Sequence, residues 1–399
     1  MTELQMPLSA SIPRPGPART ERPKAPEPPV RILAIETSCD ETAAAVIDDG
    51  RFIRSNVIAS QIDLHAAYGG VFPEMASRAH VEAIGPVIAR AMAEAEAGWE
   101  SVNAIAVTRG PGLPGSLVVG VNAAKGICLA RELPLIGVNH LEGHIYSHWL
   151  ETALPPGRGM WEFPLIALIV SGGHTELVLM RGHAEYELLG HTVDDAAGEA
   201  FDKVARLLGL SYPGGPAIEK VSQTGNPHAF KFGRPKINPR RRREGPASGL
   251  PRPYRENALY DFSFSGVKTA TLQIVRERTG KPEEAGALAG SPMSRVPIAD
   301  IAASFQSAVV DWLVEKALQA ARDFDARAIL VGGGVSANKL LRQRLAIAAD
   351  GVRMPISFPP LALCVDNAAM IGAAAYWAYR RGERHGLDMD VEPELKLGA

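Results

Sequence analysis

A chain of 399 residues is long for one hydrophobic core, so two lobes are expected. With 46% apolar and 22% charged residues and a formal net charge of -2, it has the composition of an ordinary globular protein. No global electrostatic field announces a nucleic-acid partner, so any such partner must be met by a local patch. Three cysteines (Cys39, Cys128, Cys364) without a CxxC pair exclude a disulfide or zinc-ribbon framework and point to a reducing, cytoplasmic setting. No apolar run reaches the roughly 18 residues that a membrane span needs.

In chain order, residues 1–29 carry eight prolines and mixed charge without an apolar core, and read as a disordered leader, not a signal peptide. Arg31 opens an apolar run of strand formers; after Cys39-Asp-Glu-Thr42 a second strand, Ala43 to Ile47, closes a hairpin at Asp48-Asp-Gly50. The hydroxyl-rich turn between those strands suits an anion, and equally suits a solvated hairpin tip. Pro73 starts a helix to about Glu96, its ring harmless where no N–H is needed. Ala104 to Val107 is a short strand. Three glycines and two prolines follow in Thr108 to Ser116, then a helix to Arg131. A strand, glycine turn and helix start of this kind can hold an anion, but no GK[ST] follows, so it is not a Walker loop.

Pro134 to Val138 delivers the chain to His140 and His144 in VNHLEGH. Residues four apart share one helix face, so the two imidazoles could grip a divalent ion, or could merely coincide on a helix surface. HLEGH is not the protease HExxH, because Glu142 follows the first histidine by two positions and turns away from the shared face. From Pro164 the opening pattern restarts as LIALIVSGGHTELVLM, again strand, polar turn, strand. The duplication suggests two similar halves with ligands held between them.

Further glycine turns carry candidate contacts. Ser171, Gly172 and Gly173 end a strand and leave backbone donors uncovered. Asp202 and Glu219 lie near glycine turns where carboxylates could accept ribose hydroxyls, and Gly332 to Asn338 joins a strand to a helix. Asp366 stands just before an Ala-rich helix, which reads naturally as a helix cap.

Ten motifs then occur in one order: IETSCDET, PEMASRAH, GPGLPGSL, NHLEGH, VSGGHTEL, DDAAGEAFDK, YPGGP, FSFSGVKTA, GGGVSAN and DNAAMI. Together they resemble the tRNA N6-adenosine threonylcarbamoyltransferase family. The resemblance implies an α/β fold of two duplicated lobes of the actin, sugar-kinase and heat-shock ATPase (ASKHA) type with an interlobe cleft. It places lobes at residues 30–150 and 151–385 and a tail at 386–399. It implies transfer of threonylcarbamoyl from threonylcarbamoyl-AMP to N6 of the adenosine 3' of the anticodon, in tRNAs reading codons that begin with A. The family's metal ligands fall on His140, His144 and Asp366, which makes Asp366 a ligand and not a cap; iron(II) is the favoured ion and zinc(II) the alternative. Substrate contacts fall on Ile169, Val170, Ser171, Gly172, Gly173, Asp202, Gly215, Glu219 and Asn338. Expected partners are tRNA, a non-catalytic paralogue of the same fold and a small ATPase subunit, with no membrane.

Departures from the family pattern include Arg109 before GPG, Leu113-Pro114, His148 close to the metal helix, and the stretch 280–297. The segment 231–255 sets nine basic residues against Glu244, a local charge of +8 that suits either RNA phosphates or a solvated loop. Two rival functions remain: an ASKHA-fold ATPase or phosphotransferase, and a nucleotide-binding scaffold subunit. No residue identifies itself as a general base.

Overall fold

The computed structural model describes residues 28–151, 161–234, 258–279 and 296–398. The leader through residue 27, positions 235–257 with most of the basic segment, and residues 280–295 lie outside them.

The apolar run from Arg31 forms β1 (Arg31–Glu36), which folds back into antiparallel β2 (Glu41–Asp48) and β3 (Phe52–Ser60). Helices α1 (Ile62–Ala66) and α2 (Pro73–Glu94) lead to β4 (Ala104–Gly110), α3 (Pro114–Arg131) and β5 (Leu135–Asn139). Strand β4 runs parallel to β1 and β5 parallel to β4, giving the order β3-β2-β1-β4-β5. Helix α3 begins at Pro114, three residues before the expected Leu117, with proline in the first turn.

After α4 (His140–Tyr146) the second half repeats the plan. Strands β6 (Leu165–Val170), β7 (Thr175–Gly182) and β8 (Glu185–His191) are antiparallel neighbours. Helices α5 (Ala197–Leu207), α6 (Gly214–Ser222), α7 (Ser265–Thr279) and α8 (Ile298–Asp323) precede β9 (Ala328–Gly332). Then come α9 (Lys339–Gly351), β10 (Ile356–Ser357) and α10 (Ala368–Arg380). The order β10-β9-β6-β7-β8 matches the first sheet strand for strand, including the parallel pairs β6 with β9 and β9 with β10. The duplication expected for one hairpin therefore extends to five strands.

Both sheets are covered on both faces, which explains why β1 and β6 are continuously apolar. Along β1, Ile32 and Ala34 face a middle core while Leu33 and Ile35 face an outer one; along β6, Leu165, Ala167 and Ile169 face that same middle core. Helices α4 and α10 fill the middle layer. The alanines of α10 suit this close packing: a side chain added at Gly372 would lie 2.6 Å from Ile47. Although α10 follows the second sheet in sequence, it packs on β1, β2 and α4, so a boundary at residue 150 divides the sheets but not the helices. The tail also returns to the first half. His385 bridges to Leu135, Glu392 N donates to Arg109 O at 2.8 Å, and the Asn139 amide donates to Lys396 O at 3.1 Å. Among the described residues no helix is long and apolar enough to cross a membrane.

Candidate metal centre

Helix α4 starts where β5 ends, and its cap is Asn139, whose side chain accepts from Leu141 N at 2.8 Å. That cap puts His140 in the first turn and His144 one turn on, both buried, with their rings edge to face at 4.8 Å. Gly332, at the end of β9, lets the second sheet approach α4 closely: a Cβ there would lie 2.9 Å from His144 O.

Asp366 reaches the pair from the other side, its Oδ1 3.4 Å from His140 Nε2 and 3.3 Å from His144 Nε2. It is not the cap of α10. Asn367 takes that role, accepting from Met370 N at 3.1 Å, which leaves the neighbouring carboxylate free to point into the cleft. Of the sequence alternatives for Asp366, the cap is taken by its neighbour, and the carboxylate faces the two histidines.

The residues behind the pair are as ordered as the pair itself. His140 Nδ1 lies 3.1 Å from Glu36 Oε2 and 3.1 Å from Ser38 Oγ, while Thr108 Oγ1 donates to the same Glu36 oxygen at 2.6 Å and Ser38 N donates to the other. An ionised carboxylate only accepts, so Nδ1 carries a proton; Nε2 faces Asp366, as a donor when the ring is charged and with a lone pair available to a cation when it is neutral. Burial works to raise the Glu36 carboxyl, but the His140 charge and hydrogen bond outweigh it and leave Glu36 below the usual range. At His140 burial disfavours charge, yet Asp366 and Glu36 overcome it and hold the imidazole well above its usual range. At His144 burial dominates and lowers it.

The three ligand atoms lie within 4.8 Å of one another. His144 Nδ1 and Nε2 are buried and make no well-formed hydrogen bond; only Asp366 Oδ1 approaches Nε2, at 3.3 Å, and a cation between them would satisfy that nitrogen. Two ligands each about 2.1 Å from one ion would stand a little over 3 Å apart, which the N···O separations match. Two imidazoles and one carboxylate leave coordination positions open for a substrate. The triad fits a divalent metal ion.

The second lobe supplies a bare wall. Ser171 is half-buried and Gly172 and Gly173 are exposed; a Cβ on either glycine would meet nothing within 4 Å. Gly198, in the first turn of α5, packs on this turn so closely that a Cβ would lie 2.6 Å from Ser171 O. The start of α5 therefore abuts the turn, with Ala197 N donating to Thr175 Oγ1 at 2.9 Å and Gly198 N to Ser171 O at 3.1 Å. Ile169 and Val170 do not reach the cleft with their side chains, which are buried on opposite faces of β6. His174 closes the turn; burial, with His140 and His144 nearby, pushes its imidazole down to about 4.

Asp202, Gly215, Glu219 and Asn338 form a linked set. Asp202 Oδ1 accepts from Gly214 N at 2.7 Å, beside the open space at Gly215. Glu219 Oε2 accepts from Lys339 N at 3.0 Å, and Asn338 caps α9 while donating to Gln306 Oε1 at 3.0 Å. These side chains already hold backbone and neighbouring groups in place. His148 stands outside the site, its Nδ1 2.8 Å from Ser357 Oγ, and burial pushes it down to about 3. Sequence reading missed Glu36, Ser38 and Thr108. The first two stand in the IETSCDET motif, and that was the only available signal.

Fold and site together define an ASKHA-type protein with a metal-competent triad in its interlobe cleft. Two solved HypF structures share the fold: the full-length, phosphate- and nucleotide-bound form at 15% identity and TM-score 0.53, and the T. kodakarensis protein at 14% and 0.52. The alignments cover 88% and 89% of this chain but 46% and 50% of those proteins. At the sequence level, a model of the tRNA N6-adenosine threonylcarbamoyltransferase family matches residues 52–373. The enzyme of that name from Thermomicrobium roseum is 53% identical, over 92% of this chain and 96% of its own length. That of Dehalococcoides mccartyi is 50% identical, over 92% and 99%. The chain belongs to the tRNA N6-adenosine threonylcarbamoyltransferase family. It is a transferase that makes N6-threonylcarbamoyladenosine in tRNA, with threonylcarbamoyl-AMP as donor.

Proposed function

We propose that transfer takes place in the interlobe cleft, with one divalent ion, iron(II) in preference to zinc(II), held by His140, His144 and Asp366. The observation that carries this reading is the convergence of those three side chains from opposite halves of the chain. When bound, such an ion orients the donor and polarises its oxygens. The chain's own residues account for the rest. Glu36 keeps the His140 tautomer that exposes Nε2. Gly172 and Gly173 offer backbone N–H groups to the adenylate phosphate, while Ser171, whose N–H donates to His174 O at 2.8 Å, holds the turn in shape. Asp202, Gly215, Glu219 and Asn338 border the space for its ribose and base, and Ile169 and Val170 contribute through backbone alone.

In the reaction the adenosine N6–carbonyl bond forms, the carbonyl–phosphate anhydride bond breaks, AMP leaves, and the amine loses a proton. The N6 lone pair is delocalised into the purine, so positioning supplies much of the acceleration. We further propose a cytoplasmic enzyme, supported by three free thiols. It would work with a non-catalytic paralogue of the same fold and a small ATPase; exposed Val81 on α2 and Leu129 on α3 are available to such subunits.

The test combines purified chain, partner subunits, synthetic donor and unmodified tRNA, followed by nucleoside analysis. The unaltered protein should yield the modified nucleoside and AMP, and His140→Ala should lose both product and metal. A metal-free His140→Ala protein that still turns over would refute the metal role.

A further inference from the structure

Between β3 and α2 the chain forms a strap, Ala67 to Phe72, carrying an exposed aromatic pair. Tyr68 and Phe72 stack with ring centroids 5.5 Å apart and planes 26° from parallel, and they remain 56% and 43% exposed. Phe52 is the other aromatic residue so exposed among the described residues, and Arg51 lies over its ring. A stacked pair left in solvent is unusual, because aromatic rings are the groups that gain most from being covered.

The strap is tied to both halves of the cleft. On the first-lobe side, Phe72 N donates to His65 Nδ1 at 3.3 Å, His65 Nε2 lies 3.2 Å from Gln61 Oε1, and Gln61 Nε2 lies 3.4 Å from His80 Nδ1. His80 Nε2 then donates to Cys39 O at 2.9 Å, in the turn beside the metal centre. This buried relay fixes the aromatic pair relative to the reaction site. From the second lobe, the Arg206 guanidinium donates to Gly69 O. Arg206 stands one turn after Asp202 on the same face of α5, and it makes no ion pair among the described residues. The pair therefore lies beside an arginine whose charge is felt by Asp202 but is not tied down in an ion pair among the described residues.

We propose that Tyr68 and Phe72 form a stacking platform for an unpaired base of the substrate RNA next to the modified adenosine, with Arg206 meeting the adjacent phosphate. An adenosine whose N6 must reach a cleft has to leave its own stack, and its neighbour then lacks a π surface. An aromatic rim flanked by arginine supplies one without regard to sequence. The proposal rests on the cleft being the transfer site. RNA binding is measured without transfer, so a failure of the metal reading would not imitate a failure here.

The experiment uses the full metal-loaded chain and a labelled anticodon stem–loop RNA with 2-aminopurine next to the target adenosine. Tyr68→Ala should weaken binding about five- to hundredfold and abolish the quenching of 2-aminopurine, while Tyr68→Phe keeps both. Arg206→Gln should flatten the salt dependence of binding. Metal content, thermal midpoint and donor KM should stay unchanged in Tyr68→Ala. Any of four results would overturn the proposal: unchanged affinity in Tyr68→Ala, an equal loss toward a fully paired duplex, a rise in donor KM or loss of partner-subunit binding without an RNA effect, or a stem–loop that the unaltered protein binds no better than duplex.

Discussion

The turn after β1 and the turn after β6 occupy equivalent places in two copies of one topology, each spanning the gap between the first two strands of its sheet. They are built from opposite materials. The first is Thr37-Ser-Cys-Asp40: its Ser38 hydroxyl and the preceding Glu36 meet His140, and its Thr37 hydroxyl donates to Ser116 O. The second is Ser171-Gly-Gly-His174, whose exposed glycines leave open space before the backbone. Duplication preserved the path of the chain while the side chains divided the work. One turn orients an imidazole of the metal-competent triad; the other leaves open space beside bare backbone.

Substitutions can separate these two jobs. The largest effect is expected from Asp366→Ala, which removes the carboxylate opposite both histidines. Metal occupancy and transfer should fall by more than the about 10- to 100-fold typical of losing a partner behind a ligand. Glu36→Gln should cost about 10- to 100-fold in metal affinity while the fold persists, measured by competition with a chelator. In the second turn, Gly172→Ala should leave metal content and thermal midpoint unchanged, because the added Cβ meets no protein atom within 4 Å, yet raise donor KM. A loss of metal there would erase the proposed division of labour. The smallest effect is expected from Asn367→Ala, about 1–2 kcal/mol of stability in urea unfolding, since it removes the cap of α10 and the amide's bond to Val365 O. If that change instead released the metal, Asp366 and Asn367 would not have separate roles.

Much of this was legible in the sequence. The restart of strand, polar turn and strand at Pro164 announced the duplication, and the spacing of His140 and His144 put both rings on one helical face. Asp366 was not decidable from local rules, because aspartate and asparagine are both good caps and here they are adjacent. Only the three-dimensional path shows Asn367 capping and Asp366 reaching back. Glu36 was hidden for a different reason: as the last residue of an apolar strand it looks like a strand end, and its partner His140 is 104 positions away. The return of α10 and the tail to the first sheet likewise depends on contacts that no sequence period encodes. The carboxylates Asp202 and Glu219 stand near glycine turns as expected, but the hydrogen bonds they make to Gly214 and Lys339 show them ordering those turns, which spacing could not reveal.

X-ray absorption at the metal edge, on protein purified anaerobically and carrying its own ion, tests the triad most directly. Two imidazole nitrogens and one carboxylate oxygen around about one ion per chain, with the imidazole signal halved in His144→Ala, is the expected result. An ion bound with no imidazole signal, or an unchanged spectrum in that variant, would contradict it.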